Sequence, residues 1–96
     1  MKMVMISYNE AMEDEVMEAL GKANADSYTK FVGAFGKGII SGTHMGDDIW
    51  PGKNNVLFIA CEDSKVDELI SGIKVLRSKL GNEGVKAFIM PIEKIT

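Results

Sequence analysis

The stretch NVLFIAC, Asn55–Cys61, carries no charge and no glycine or proline, and every other element of the chain is placed relative to it. A short apolar run between the polar pairs Asn54–Asn55 and Glu62–Asp63 reads as a β-strand. Strand side chains alternate between two faces, so Val56, Phe58 and Ala60 lie on one side and Leu57, Ile59 and Cys61 on the other. Neither side is polar.

Downstream, Ser64 with Asp67 has the spacing of a capping box in which aspartate replaces the usual glutamate, so it predicts a helix start. Val66, Leu69, Ile70, Ile73, Leu76 and Leu80 then form one apolar face. Lys74, Arg77 and Lys79 suit the negative end of the dipole, and Gly81 suits the stop. VKAFIMPIE, Val85–Glu93, predicts a final strand that Pro91 ends or confines to an edge.

The first half of the chain follows a similar plan. KMVMISY, Lys2–Tyr8, is a strand that halts at Asn9, a favoured N-cap. Met12, Val16, Ala19, Leu20 and Ala23 then share a helical face, with Glu10, Glu13 and Asp14 at the positive end of the dipole, and the helix ends near 21–24. SYTKFVGAF, Ser27–Phe35, predicts a second strand running into the glycine-punctuated GKG.

The order strand, helix, strand, strand, helix, strand folds most economically as an α+β, ferredoxin-like βαββαβ sandwich, with a four-stranded antiparallel sheet in one domain over 1–96. Between the second and third strands lies a connection of about 17 residues, longer than the roughly 12 to 15 at which loops in compact domains are usually functional. It contains GTHMGDDIWPGKNN, Gly42–Asn55. In this architecture both helices cover one face of the sheet. The first strand is also apolar on both sides, Val4 and Ile6 against Met3 and Met5. The uncovered face therefore predicts a homo-oligomer.

Composition narrows the function. The chain has 96 residues, 46% of them apolar, and a formal charge of −3 with its basic residues scattered. That pattern excludes the electrostatic footprint of a nucleic-acid binder. Acidic residues soon follow the apolar opening MKMVMI, which excludes a signal peptide and a spanning helix and predicts a cytoplasmic protein with no membrane insertion. Cys61 is the sole cysteine, so no intrachain disulfide forms; at the end of an apolar strand, beside Glu62 and Asp63, it reads as a buried, inert thiol.

His44, Asp47 and Asp48 carry the donors of a metal site that a symmetry-related imidazole could complete, weighed against a simply solvated loop. GAFGKG, Gly33–Gly38, can bring backbone amides and Lys37 to an anion but lacks the Walker spacing. Trp50 reads as a packing anchor for the returning loop, and Asn54 and Asn55 open the next strand. Alternating Met1, Met3 and Met5 read as adaptable packing rather than soft-metal ligands. Arg77, the one arginine, sits on the second helix, away from any loop where an acylphosphatase-type enzyme would use it.

VGAFGKG, Val32–Gly38, and VKAFIMPIE together resemble the PII-like signalling superfamily, and the element order resembles it over nearly the whole chain. The resemblance implies a non-enzymatic regulatory protein, typically a homotrimer, that binds a small effector at clefts between subunits and signals to a transporter or enzyme target through the loop between strands 2 and 3. Carried over by position, Gly36, Lys37 and Gly38 form the loop base. His44, Trp50 and Asn54 join the ligand-binding set, and the effector is left open, with a nucleotide or a divalent metal as the candidates. The turn GNEG, Gly81–Gly84, is shorter than the family's phosphate-binding loop, IEKIT stands in place of its basic segment, and the long loop has no tyrosine. These departures imply a divergent member whose effector need not be ATP. Two other readings are a metal-binding or metal-tolerance protein resembling the CutA group, with His44, Asp47 and Asp48 as ligands, and a small ferredoxin-like enzyme with His44 as base.

Overall fold

The computed structural model describes residues 1–25, 27–36, 53–81 and 84–96. Its elements are β1 (Lys2–Asn9), a 3₁₀ turn (Glu10–Met12), α1 (Glu13–Lys22), β2 (Thr29–Ala34), β3 (Asn54–Cys61), α2 (Asp63–Leu80) and β4 (Val85–Pro91). The strands form one sheet in the order β2-β3-β1-β4, antiparallel throughout. This is the ferredoxin-like βαββαβ arrangement that the sequence predicts.

The register aligns Val4 with Ile59 and Ile89, Ile6 with Leu57 and Ala87, and Tyr8 with Asn55 and Val85. These rows share the face that the helices cover. Val4, Ile6, Tyr8, Leu57, Ile59 and Val85 are buried there against Val16 and Leu20 of α1 and Leu69 and Ile73 of α2. Each helix supplies one apolar stripe, which is why the core lies in a single layer.

Asn9 caps as expected, its Oδ1 accepting from the Ala11 amide at 2.9 Å, although the first turn it caps is 3₁₀. α1 closes with Asn24 in the left-handed region (φ 54°), and the Ala25 amide donates to the Leu20 carbonyl at 2.9 Å. That six-to-one bond satisfies a carbonyl the helix leaves open.

The start of α2 corrects the sequence reading. The helix begins at Asp63 with Glu62 as N-cap and no side-chain cap bond, so Ser64 is already inside it. The Asp63 carboxylate instead meets the Met1 amine at 3.0 Å, and the Glu62 carbonyl accepts from the Lys65 and Val66 amides. Satisfaction through the preceding carbonyl makes a hydroxyl cap unnecessary. The second strand is also shorter than Ser27–Phe35, running only from Thr29 to Ala34.

A bulge interrupts the pairing of β2 with β3, because Phe31 pairs with Val56 while Ala34 pairs with Asn54. Gly33 sits in it at φ 72°, a conformation that costs other residues about 1–2 kcal/mol. Space is not limiting, since an added Cβ would find only Lys53 Cδ at 3.8 Å. Gly33→Ala is therefore expected to lower unfolding free energy in urea by about 1 kcal/mol, through backbone conformation alone.

Candidate functional site

Three chain connections meet at one end of the sheet. The Glu10 amide donates to the Lys53 carbonyl at 3.0 Å, and the Asn9 amide donates to the Gly84 carbonyl at 2.9 Å. The corner from β1 to α1 is thereby tied both to the return of the long connection and to the turn that leads into β4. Each bond satisfies a backbone donor that the end of β1 would otherwise leave open.

Gly36 and Asn54 form the base of the long connection. A Cβ on Gly36 would stand 2.8 Å from Asn54 Nδ2, so the backbone leaving β2 passes directly against the side chain that opens β3. Close approach of this kind requires glycine or a displaced neighbour. Beside it, the Lys53 ammonium lies 5.8 Å from the Phe35 ring centroid, a cation–π contact between the two arms of the connection. Gly36 and Asn54, both predicted for the ligand-binding set, are thus neighbours. Lys37, Gly38, His44, Asp47, Asp48 and Trp50 lie outside the described residues. Among the described residues, no three His, Cys, Asp or Glu side chains gather as metal donors.

Behind the loop base lies a polar network that the sequence reading missed. The Glu13 carboxylate accepts from the Tyr8 hydroxyl, from the Lys30 ammonium, with which it forms a salt bridge, and from Asn55 Nδ2 at 3.1 Å. Asn55 Oδ1 in turn accepts from the Gly33 amide at 3.4 Å. One chain of bonds therefore links the first turn of α1, three strands and the bulge that launches the long connection. Asn55 is buried, and no buried side-chain polar atom among the described residues lacks a partner.

Electrostatics follow from these contacts. The hydrogen bond from Lys30, then that from Tyr8, holds the Glu13 carboxyl below its ordinary value. Burial, reinforced by the Glu13 carboxylate, raises the Tyr8 phenol well above its usual range, so it remains a donor. Cys61 is buried, as predicted, and burial pushes its thiol up, away from nucleophilic chemistry. Arg77 is less free than a surface reading implies: it is half-buried, and its Nη1 donates to the Val85 carbonyl at 2.5 Å.

The sheet face opposite the helices is apolar, as both strand readings require. Met3 aligns with Ala60 and Met90, and Met5 with Phe58 and Phe88. Phe31 packs edge-to-face on Phe58, with centroids 5.7 Å apart. Phe31 remains 55% exposed and Phe88 47%, so much of this face is bare in one chain. Bare apolar area of this kind marks an interaction surface.

The sequence profile of the family described as nitrogen regulatory protein P-II matches residues 1–96. No curated protein matches the chain by sequence. Among solved structures, it is similar to CPII from Thiomonas intermedia K12 bound to ADP, AMP and acetate, at 18% identity and a TM-score of 0.73, covering 99% of this chain and 88% of that one. It is also similar to the apo form of the same protein, a nitrogen regulatory PII-like protein, at 16% identity and a TM-score of 0.72, covering 95% and 87%. At such identities the likeness to these structures shows a common fold.

Proposed function

The chain belongs to the nitrogen regulatory protein P-II family, and from that premise we propose that this PII-like regulatory protein works as a cytoplasmic, non-enzymatic homotrimer. Its sheets pack together through their open faces. A small effector binds in clefts between subunits at the base of the 36–53 connection, and the occupied connection signals to a transporter or enzyme target. The whole chain acts as one domain. Among the described residues, no helix is long and apolar enough to cross a membrane.

The observation that carries this reading is the coincidence of the bare sheet face with a braced loop base. An oligomeric sheet needs the first, and a ligand-responsive loop needs a fixed origin, which Gly36, Asn54 and the Glu13 network supply. The CPII structure holds ADP, AMP and acetate, so an adenine nucleotide and a small carboxylate are the first effectors to test. The base suits an anion, with the Lys53 ammonium beside it and glycine backbone exposed to approach.

Isothermal titration of the purified protein with ADP, AMP, acetate, bicarbonate and divalent metal ions tests the assignment. Saturable binding of a nucleotide or carboxylate, weakened at least about tenfold by Gly36→Val, is the expected outcome, because the branched side chain pushes Asn54 out of the base. Stoichiometric metal binding that His44→Ala abolishes, with no response to the organic ligands, contradicts it.

A further inference from the structure

We propose that NEAME, Asn9–Glu13, is a coupling block through which the turn ahead of β4 and the long connection between β2 and β3 respond to one another. Its regulatory meaning rests on the reading of the loop base given above, whereas its test uses no effector, so the two can fail separately.

The first observation is how many places five consecutive residues reach. β1 is an inner strand, so the donors at its end have a neighbour on either side. On the β4 side the Asn9 amide donates to the Gly84 carbonyl, and on the β3 side the Glu10 amide donates to the Lys53 carbonyl. The two bonds leave from adjacent peptide units. Three residues on, the Glu13 carboxylate accepts from Lys30 and Asn55, and Asn55 Oδ1 accepts from the Gly33 amide in the bulge. The block therefore touches the turn and both arms of the long connection.

The second observation is that the block is tied to itself. Asn9 Oδ1 accepts from the Ala11 amide at 2.9 Å, the Glu13 amide donates to the Glu10 carbonyl, and the Met12 side chain is buried. A segment closed by its own hydrogen bonds moves as a unit, so a displacement imposed at one contact is carried to the others rather than absorbed by rotation within it.

The third observation is a contact with no slack. A Cβ on Gly84 would stand 2.6 Å from Met12 Sδ and 3.4 Å from its Cε, so the backbone of the turn lies directly on the thioether with no room for a methyl group. Movement of Gly84 toward this corner presses on Met12, and movement away opens a void. The turn thus holds the block at Asn9 and Met12, while the long connection holds it at Glu10 and Glu13. Coupling between two sites is reciprocal, so a change in the connection acts back on the turn by the same factor.

The test compares the isotope-labelled full chain by nuclear magnetic resonance before and after Gly84→Ala, whose methyl group presses on Met12. The Lys53 carbonyl carbon reports the hydrogen bond it accepts from Glu10, and the amide of Leu69, buried in α2, reports global stability through its exchange rate. The expected result is a shifted Lys53 carbonyl signal and Glu10 amide exchange at least about threefold faster relative to Leu69. Glu10→Pro then cuts the tie. Proline is tolerated at the first position of a helical turn, and Asn9, at φ −66° and ψ 138°, already has the backbone that precedes proline. In that background Gly84→Ala should leave the Lys53 signal where it was. An unmoved Lys53 signal without Glu10→Pro overturns the proposal, as does a shift that survives Glu10→Pro. Should Gly84→Ala fail to fold, Met12→Ala disturbs the same contact by emptying it and is read by the same criteria.

Discussion

Phe58→Asp is expected to convert the proposed homotrimer to monomers at micromolar concentration while leaving the far-ultraviolet circular dichroism unchanged. Phe58 sits on the open sheet face, aligned with Met5 on β1 and Thr29 on β2 and packed on the Phe31 ring. Its side chain points away from the helix-covered core, so the monomer loses little when it changes. In the assembly, each copy would bury a carboxylate in an apolar interface with no cation aligned beside it, at a cost of several kcal/mol per site. Sedimentation velocity reads the outcome directly. A variant that keeps the wild-type mass removes the open face from the assembly.

The second large effect concerns Glu13. Glu13→Ala strips the acceptor from the buried Tyr8 hydroxyl and leaves Asn55 and the Lys30 ammonium without their shared partner, an expected loss of about 1–3 kcal/mol in chemical denaturation. Glu13→Gln isolates the charge, because it keeps the shape and one acceptor. The folded-state pKa of Glu13 is depressed, chiefly by Lys30, so its contribution is fully present above the ordinary carboxylate range and is lost as pH falls through the lower folded value. Wild type should therefore exceed Glu13→Gln in stability at pH 7, and the gap should narrow steadily below about pH 4.5. A gap that stays constant into acid contradicts the charge pairing. If the network braces the loop base, Glu13→Gln also weakens effector binding at pH 7, where the protein is still folded.

Element types and order are legible in the residues because each follows a local rule. NVLFIAC carries its strand in composition alone, and the apolar positions of α2 recur at helical spacing through Val66, Leu69 and Ile73, all buried as predicted. The bare sheet face follows from the two-sided apolar pattern once both helices are assigned to one side. The start of α2 departs from the local pattern because Ser64 and Asp67 have the right spacing for a cap, whereas the start of β1 brings the Met1 amine to Asp63 from a distant part of the sequence.

The polar network is a clearer case of what local pattern omits. Glu13 reads as one of several acids favouring a helix start, and nothing in its neighbourhood distinguishes it from Asp14. Its partners Tyr8, Lys30 and Asn55 lie 5, 17 and 42 positions away and meet only when three strands take their register. The one available signal is Asn55, a polar residue on the helix-facing side of an otherwise apolar strand, which must find partners when buried. At the loop base, Gly36 and Asn54 were legible as the two ends of the long connection, and their contact is what the fold adds.

Native mass spectrometry of the untagged protein at low micromolar concentration, with and without ADP, AMP and acetate, reads assembly and effector binding together. A species of three chain masses that takes up effector in steps, one site per cleft, is the expected result. A species of one chain mass that binds none of these ligands contradicts it.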